Sequence, residues 1–334
     1  MSELLKKWHI YDYGALQQRC SEIGSGDYLI DSLVPSKSLV LDVGDSGVGK
    51  SPKLYQASLC IASGKPFLGH PVRKGTVLYL DFENGLGQVQ QIIGQLLKHL
   101  KLQKAPRGLK LWNVNDSSES WDLEDMIKEV DPDLVIIDSL TALYPDIEDR
   151  NSTATETYQH FRWLMRTYNT SILGVHHLKK PSEKAKVPCL EDDDWRSWFL
   201  QARGARSLIN GCDVRLGVDV PRRRFKKEAV LVMRGFERVR GEIPLMYLNR
   251  VLDEDGDPLG YEKMRGIKLL ANVEMEGTFR QLPQIFRHKD AKTAYGKGSQ
   301  ATTNFLNKCI GCEILRKNAD GIYQKTDEDL RQVA

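Results

Sequence analysis

The chain has 334 residues, of which 41% are hydrophobic and 28% are charged, and its net charge is +3. This composition is that of an ordinary globular protein of about two domains, and it excludes a fibrous or low-complexity chain. The small charge neither requires nor opposes a polyanionic partner, and without a signal peptide or a long apolar run we expect a cytoplasmic protein with no membrane segment.

Short apolar runs alternate with helical patterns after an N-terminal extension, which we assign to residues 1–27. This alternation predicts an α/β fold with a mostly parallel central sheet covered by helices, over a core spanning residues 28–250. The predicted strands are Leu39–Val43, Val77–Phe82, Leu109–Val114, Leu134–Asp138, Ser171–Val175 and Val214–Val218, and the clearest helices are Gln88–Leu100 and Glu156–Tyr168.

A complete GxxxxGK(S/T) pattern lies between the first predicted strand and a helical pattern. Its glycines allow backbone N–H groups to surround a β-phosphate, and the positive end of the following helix adds to the attraction. Lys50 is expected to reach the β- and γ-phosphates, and Ser51 is expected to bind Mg²⁺. We therefore predict a nucleoside triphosphate site formed by Gly44, Asp45, Ser46, Gly47, Val48, Gly49, Lys50 and Ser51.

Acidic residues stand at the ends of two later strands. Asp138 ends an apolar strand and is expected to hold a water on Mg²⁺. Glu83 follows another strand, and the carboxyl ends of neighbouring parallel strands meet at one edge, so Glu83 can stand beside the γ-phosphate and deprotonate water. Asp81 is the competing candidate for this base, and a surface glutamate without a catalytic role is the alternative.

His176 and His177 are delivered to the same edge by the strand that begins at Ser171. Adjacent side chains on a strand point to opposite faces, which disfavours joint binding of a metal. We expect a single histidine to contact a phosphate and to relay its loss to the next loop.

Two long connections, 144–155 and 178–202, interrupt the alternation, and loops of this length are usually functional or disordered. The second contains the lysines Lys179, Lys180, Lys184 and Lys186, followed by an acidic run at 191–194. After it, runs at Ala229–Arg234 and Ile243–Leu248 predict a hairpin or meander that closes the sheet.

A linker is predicted at 251–260, and a small winged-helix-like domain at 261–334. The prediction rests on three helical patterns, at Glu262–Val273, Phe279–Phe286 and Ser299–Cys309, and on a hairpin at Glu313–Thr326. From residue 260 onward 13 Lys or Arg residues face 9 Asp or Glu, which suits nucleic acid without requiring it. A helical dimerisation or lid domain is the alternative. Cys309 and Cys312 lack a second cysteine pair, so we expect thiols rather than a zinc site.

Five ordered motifs together resemble the RecA-like ATPases, and among them the RepA-type hexameric helicases and related single-domain ATPases. The motifs are Gly-Asp-Ser-Gly-Val-Gly-Lys-Ser, Tyr-Leu-Asp-Phe-Glu-Asn, Ile-Ile-Asp-Ser-Leu-Thr-Ala-Leu, Gly-Val-His-His-Leu-Lys-Lys and Ala-Arg-Gly-Ala-Arg-Ser-Leu, within residues 28–250. The resemblance implies ATP and Mg²⁺ as ligands, Glu83 as the residue that activates water, and Asp138 as the metal-site aspartate. It assigns the sensing of the γ-phosphate to His177, with His176 as the neighbour.

The same resemblance implies that ATP lies between subunits of a ring or filament, which in the RepA branch is a hexamer, and that a basic side chain of the next subunit completes the site. Arg203, Arg206, Arg234 and Arg238 are the candidates, although Met233 departs from the usual Lys-x-Arg pattern. It also implies that Lys179, Lys180, Lys184 and Lys186 contact the backbone of single-stranded DNA. The acidic run 191–194 departs from a simple DNA loop, and the alternatives are a subunit contact, a cover over the ATP edge and a solvated loop.

The leading hypothesis is an oligomeric, Mg²⁺-dependent ATPase that acts on DNA as a helicase, translocase or strand remodeller. The alternative is a switch in which bound nucleotide controls the assembly of a DNA-processing or mobile-element complex without moving DNA. A small-molecule kinase fits less well, because no arginine cluster for an acceptor lies beside the phosphate loop.

Overall fold

The computed structural model describes residues 10–22, 26–116, 120–148, 150–179, 188–204, 206–222, 229–270 and 272–326. These residues form two compact units. The first contains most of the chain up to residue 220, together with 231–245 and 250–261. The second contains the described residues of 221–230, residues 246–249 and the described residues from 262 onward.

The helices and strands are numbered in chain order. The helices are α1 (Tyr13–Glu22), α2 (Lys50–Ser63), α3 (Leu86–His99), α4 (Leu123–Val130), α5 (Leu140–Leu143), α6 (Asn151–Tyr168), α7 (Arg206–Gly211), α8 (Val273–Gln281), α9 (His288–Tyr295) and α10 (Ser299–Gly311). The strands are β1 (Tyr28–Ile30), β2 (Val34–Pro35), β3 (Leu39–Gly44), β4 (Val77–Asp81), β5 (Leu109–Asn113), β6 (Leu134–Asp138), β7 (Ser171–His177), β8 (Val214–Asp219), β9 (Ala229–Glu237), β10 (Gly241–Leu252), β11 (Pro258–Lys263), β12 (Ile285–Arg287), β13 (Leu315–Lys317) and β14 (Ile322–Lys325).

A nine-stranded sheet has the order β11, β10, β9, β8, β3, β7, β6, β4, β5. Strand β3 pairs in parallel with β7 and β8, and β4 pairs in parallel with β5 and β6, which confirms the predicted α/β fold with a mostly parallel sheet. Strand β9 pairs with β8 in the antiparallel direction. Because the parallel strands run in one direction, the carboxyl ends of β3, β4, β6 and β7 lie along the same edge.

The central strands are buried along their whole length. This explains why their sequences are continuous apolar runs and not alternations of apolar and polar residues. Helix α2 is buried along most of its length as well, and Gly49 and Gly64, both with positive φ, flank its two ends. Its position between the phosphate-loop pattern and the sheet core makes α2 the element that fixes the loop.

The two long connections are more ordered than their sequences predict. Helix α6 begins at Asn151 rather than at Glu156, so part of the predicted connection 144–155 is helical. Within 178–202, a 3-10 helix at Trp195–Gln201 buries Trp195, Trp198 and Phe199. The described part of this connection is therefore packed within the first unit. The acidic run 191–194 immediately precedes the 3-10 helix.

The predicted linker at 251–260 is wrong in its detail, because these residues include the end of β10, a turn and the start of β11. The N-terminal extension contains α1, which buries none of its residues. Among the described residues, none of the helices is both long enough and apolar enough to span a bilayer.

The second unit contains α8, β12, α9, α10, β13 and β14 in that order, and its small sheet has the order β12, β14, β13. The helix predicted at Phe279–Phe286 is wrong: α8 ends at Gln281, shortly before Pro283, and Ile285 begins β12. Most of the helix predicted at Glu262–Val273 is also wrong, since residues 258–263 form β11 and only Ile267–Leu270 form a short 3-10 helix.

Helix α9 is absent from the sequence predictions. Its start is fixed by Asp290, whose carboxylate accepts a hydrogen bond from the backbone N–H of Arg287 at 2.8 Å. The core of the unit includes Phe279, Phe305 and Cys309. Burial raises the pKa of the Cys309 thiol to about 12 and that of Cys312 to about 11, so both thiols are protonated core side chains at neutral pH.

Candidate active site

The glycines of the phosphate-loop pattern form a tight turn between β3 and α2. Gly47 and Gly49 have φ values of 73° and 106°, a backbone conformation that other residues adopt only with strain. At Gly44, a Cβ atom would lie 2.7 Å from the carbonyl oxygen of Val218, so only glycine fits there. The turn has the narrow, side-chain-free shape that a phosphate cradle needs.

Lys50 lies at the mouth of this turn, where its Nζ donates hydrogen bonds to the carbonyl oxygens of Gly44 at 2.9 Å and Asp45 at 2.7 Å. Its side chain is buried, and burial lowers the pKa of the ammonium, an effect opposed by the nearby charges of Asp42, Asp138 and Glu83. The ammonium is therefore already held among the acidic strand ends, and no long movement is needed for it to meet a phosphate.

Asp138 ends β6 and is almost fully buried. It accepts a hydrogen bond of 2.7 Å from the hydroxyl of Tyr79, and Ser51 also acts to lower its pKa. Burial raises the pKa of Asp138 to about 6, in spite of these effects. A cation beside the carboxylate would favour its ionised form. Ser51 and Asp138 supply the hard oxygen donors that Mg²⁺ prefers, so this pair fits the metal that ATP requires.

Glu83 follows β4, and its Oε1 lies 3.1 Å from Nε2 of His177. A hydrogen bond from His177 is the largest of the effects that lower the pKa of Glu83 to about 2, and Ser139 and the charge of Lys50 act in the same direction. The carboxylate is thus ionised at neutral pH. It is also partly exposed, as a group that must reach an attacking water has to be.

Asp81, the competing candidate, has both carboxylate oxygens occupied. Its Oδ1 accepts from the backbone N–H groups of Glu83 at 2.9 Å and Asn84 at 2.8 Å. Its Oδ2 accepts from the hydroxyl of Tyr55 at 2.5 Å and from the side-chain amide of Asn84 at 2.9 Å. These four donors fix the turn after β4. The geometry therefore favours a role for Asp81 in positioning Glu83, and it disfavours Asp81 as the base.

A pair of buried tyrosines that is absent from the predicted site supports both aspartates. The rings of Tyr55 and Tyr79 stack with centroids 4.1 Å apart, and their hydroxyls bind Asp81 and Asp138 respectively. A tyrosine at the third position of an otherwise aliphatic strand was the available signal, because a buried hydroxyl needs a polar partner.

His176 and His177 have different surroundings, as expected for neighbours on a strand. His177 reaches Glu83, whereas His176 is fully buried and its Nε2 lies 2.8 Å from the carbonyl oxygen of Arg203. Burial lowers the pKa of His176 and favours the neutral ring. The structure therefore brings His177, and not His176, to Glu83, whose charge also interacts with Lys50.

A second lysine of α2 forms a buried ion pair. Lys53 Nζ lies 2.6 Å from Asp42 Oδ1, and both side chains are almost completely inaccessible to solvent. The pair joins β3 to α2, the two elements on either side of the phosphate loop. Lys53 is thus committed to the fold, whereas Lys50, one turn earlier, is available to a ligand.

The candidate arginines differ in the hydrogen bonds and ion pairs that they form within their own chain. Arg203 lies next to the histidine strand: its N–H donates to the carbonyl of His177 at 3.0 Å, and its Nε donates to the carbonyl of Leu178 at 3.1 Å. Arg206 is the first residue of α7.

Arg234 and Arg238 are engaged within the first unit. Arg234 binds Glu242 at 2.6 Å, donates to two backbone carbonyls and lies over the ring of Trp195 at 4.5 Å from its centroid. Arg238 donates to the backbone carbonyls of Asn210, in α7, and Cys212, which precedes β8 at the end of that strand opposite to the phosphate loop. These contacts weigh against either as the residue offered to a neighbouring subunit.

Of the four predicted DNA-contacting lysines, Lys179 is exposed directly after the histidine strand. Lys180, Lys184 and Lys186 lie outside the described residues. In the acidic run, the backbone carbonyl of Asp192 accepts from Arg234, and its carboxylate accepts from the N–H of Cys189 at 3.2 Å. The start of the run is therefore held by its own unit.

Replacing His177 with alanine should raise the pKa of Glu83, because the largest effect that lowers it is removed. Above its pKa Glu83 is a carboxylate that can accept a proton, so the acid limb of the pH profile should move to higher pH. The measurement is kcat/KM for ATP from about pH 3 to pH 7 at saturating Mg²⁺, because a Glu83 pKa that rises from about 2 toward its ordinary value stays below about pH 5. His160→Ala, on an exposed face of α6, is the control, and an unmoved acid limb in His177→Ala would show that the contact does not govern Glu83.

Part of this chain is similar to known proteins. The model of the AAA domain family matches residues 17–183. The DNA repair protein RadA of Halalkalibacterium halodurans is 31% identical over 166 residues, which cover 48% of this chain and 32% of that protein. RadA of Streptococcus pyogenes serotype M6 is 29% identical over 158 residues, covering 46% and 31%. The chain thus spans about a third of the length of these relatives.

Two solved structures align over most of their own length. The RadB recombinase has a TM-score of 0.43 at 19% identity, covering 69% of this chain and 92% of that one. The KaiC-like protein PH0186 of Pyrococcus horikoshii has a TM-score of 0.43 at 12% identity, covering 71% and 93%. From the family match and the ordered motifs at the sheet edge, the chain belongs to the AAA domain family and is a RecA-like P-loop ATPase.

Proposed function

We propose that this protein hydrolyses ATP with Mg²⁺ as an oligomer that acts on DNA, as a helicase, translocase or strand remodeller. The observation that carries the proposal is the convergence of Lys50, Asp138, Glu83 and His177 at one sheet edge, joined by charge interactions and by the contact of 3.1 Å between Glu83 and His177. Phosphoryl transfer to water needs a phosphate-binding cation, a metal site and a base in this arrangement.

Each residue has a defined task in this proposal. The glycine turn and Lys50 hold the phosphates, while Ser51 and Asp138 hold Mg²⁺, which would neutralise phosphate charge when bound. Glu83 orients a water and takes its proton. Because Glu83 and His177 are hydrogen-bonded to each other, a phosphate that attracts His177 would free Glu83, and loss of that phosphate would restore the pair.

The DNA-binding and assembly parts of the proposal rest on less direct observations. We place single-stranded DNA against Lys179 and the lysines that follow it, and ATP between neighbouring subunits of a ring, with a hexamer as the expected form. The order α8, β12, α9, α10, β13, β14 supports a winged helix in the second unit. We expect the protein to work in the cytoplasm, as DNA-processing ATPases of bacteria do.

The experiment that tests the function is ATP turnover with and without single-stranded DNA. A large rise supports a motor. Turnover that is indifferent to DNA supports the second candidate, a nucleotide switch that controls assembly of a DNA-processing or mobile-element complex. The contact between Glu83 and His177 suits that switch too, because its breaking by a bound phosphate would signal nucleotide occupancy without movement along DNA.

Arg203 and Arg206 are our candidates for the residue supplied by the next subunit, since Arg234 and Arg238 are engaged elsewhere. If Arg203 acts across the interface, Arg203→Ala and Lys50→Ala subunits, each inactive alone, should regain activity when mixed. Activity returns because some interfaces then combine an intact phosphate loop with an intact arginine. A mixture of Arg206→Ala and Lys50→Ala subunits tests the other candidate. If ATPase activity does not recover at any mixing ratio in either experiment, both arginines have structural roles.

A further inference from the structure

Two segments of the first unit contain a large excess of positive charge. Residues 64–76 and 98–110 together hold eight of the chain's 48 Lys and Arg residues and none of its 45 Asp and Glu residues. The other 308 residues therefore carry five more acidic than basic side chains, although the whole chain has a net charge of +3. The positive charge of this protein is thus concentrated in 26 residues.

The two segments lie side by side in the fold. Segment 64–76 connects α2 to β4, segment 98–110 contains the connection from α3 into β5, and these two strands pair in parallel. The N–H of Val77 donates to the carbonyl of Gly108 at 2.8 Å. A Cβ atom on Gly108 would lie 2.9 Å from the carbonyl oxygen of Gly75, so the two segments are in contact there. They form one surface at the amino-terminal end of the parallel strands, the end opposite to the phosphate loop.

Three of the eight basic side chains have local roles. Arg73 binds Asp133 at 3.1 Å. Lys98 lies in the last turn of α3, where a helix carries partial negative charge. Lys110 shares the rim of a cleft with acidic side chains of α4. The other five form what we call the basic patch: Lys65, Lys74, Lys101, Lys104 and Arg107.

The side chains of the basic patch are accessible and are not neutralised by their own chain. Four of them are exposed, and Lys65 is half-buried. A Cβ atom on Gly64 would lie 3.4 Å from the Cβ of Lys74, which places Lys74 beside Lys65 at the end of α2. None of the five forms an ion pair within the part of the chain that the structure describes.

Acidic residues of neighbouring segments offset little of this charge. Asp133 is bound to Arg73, and Asp31 lies 3.9 Å from the guanidinium of Arg240. Asp131, which precedes β6, is exposed and offsets one of the five charges at most. A surface of this kind has a positive potential that attracts polyanions.

We propose that the basic patch binds the phosphate backbone of double-stranded DNA, at the end of the sheet opposite to Lys179. The inference rests on the proposed function for DNA as the partner, and it deepens that function by adding a surface that holds a duplex without reading its sequence. Duplex DNA carries one negative charge per about 1.7 Å of its axis, so several phosphates would face the five cations at once. Contacts of this type fix a protein on DNA but carry no sequence information.

Other partners fit the basic patch less well. Both segments are described in full, their one Phe, Tyr or Trp residue, Phe67, is buried, and none of their large apolar side chains is exposed. Single strands are held by stacking on exposed aromatic rings. Membrane surfaces and protein partners require exposed apolar side chains. The acidic run 191–194 of a second copy is another polyanion, but the start of that run is already held by its own unit.

The test is binding of the full chain, without nucleotide, to fluorescent duplexes of about two helical turns at several salt concentrations. The triple variant Lys74→Ala, Lys104→Ala, Arg107→Ala should bind about 10-fold or more weakly at low salt, and its slope of log affinity against log salt should fall by about three. A·T-rich and G·C-rich duplexes should lose affinity by the same factor, because only the backbone is contacted.

Single variants provide the matched comparison. Lys104→Ala should lower the salt slope by about one, whereas Lys128→Ala, which removes an exposed lysine from α4, should leave it unchanged. Lys104→Arg keeps the charge and should retain the affinity that Lys104→Ala loses. Circular dichroism establishes that each variant is folded.

Unaltered duplex affinity and salt dependence in the folded triple variant would overturn the proposal. Loss of self-assembly by that variant at unaltered duplex affinity would also overturn it, and would assign the basic patch to the acidic run of a second copy.

The result is separable from the motor hypothesis. Duplex binding that depends on the basic patch, together with ATP turnover that does not respond to DNA, would remove the motor and leave this inference standing. Turnover stimulated by DNA, in a protein whose duplex binding does not depend on the basic patch, would do the reverse.

Discussion

Replacing Glu83 with glutamine should leave ATP bound while hydrolysis falls by about 100-fold or more. Glutamine keeps the size and one hydrogen-bond acceptor of the side chain but cannot accept a proton from water. Since Lys50 and Ser51 are untouched, the phosphates and the metal keep their ligands. The measurements are single-turnover hydrolysis and the affinity for a fluorescent ATP analogue.

The structure makes this prediction sharper than the sequence does. Glu83 has a pKa of about 2 in its contact with His177, so the unaltered protein has a carboxylate available throughout the neutral range. Asp81 cannot easily replace it, because four donors already occupy its oxygens. Glu156→Gln, on an exposed face of α6, is the control for the chemical change itself. Unaltered turnover in Glu83→Gln would mean that another group activates the water.

The parts of the site that depend on local sequence are predictable. The sequence of a strand that is buried on both faces is an apolar run. The acidic residue that ends such a run therefore marks the sheet edge, as Asp138 does. The period of two along β7 also predicts that only one of His176 and His177 can face the site. These inferences need no knowledge of tertiary distances.

The remaining parts depend on contacts between distant stretches of chain. Tyr55 and Tyr79 bind two different aspartates only because α2 packs against β4, and no local pattern gives that distance. The same holds for Arg234, whose contact with Trp195 comes from a connection that the sequence presents as a loop. Helix α9 was missed because it is short and polar, and because its starting signal, Asp290, is a single residue.

The second large effect is expected from Lys50→Ala, which should lower the affinity for ATP by about two orders of magnitude. In the structure Lys50 Nζ is bound only to the carbonyl oxygens of Gly44 and Asp45, at the point where the phosphates would enter. Alanine removes the one side-chain cation of the turn, and the backbone N–H groups alone would then face the phosphate charge. The measurement is equilibrium binding of a fluorescent ATP analogue with Mg²⁺.

Two comparisons separate a lost ligand contact from a damaged fold. Lys98→Ala removes an exposed lysine from α3 and should bind ATP normally. Lys50→Arg keeps the positive charge but cannot take the same compact position, so it should bind more weakly than the unaltered protein and more tightly than Lys50→Ala. The buried pair of Lys53 and Asp42 should keep α2 attached to β3 in all three variants, so their unfolding midpoints in urea should stay close together. Normal ATP affinity in a folded Lys50→Ala protein would place the triphosphate elsewhere, and the roles assigned to Asp138 and Glu83 would be lost with it.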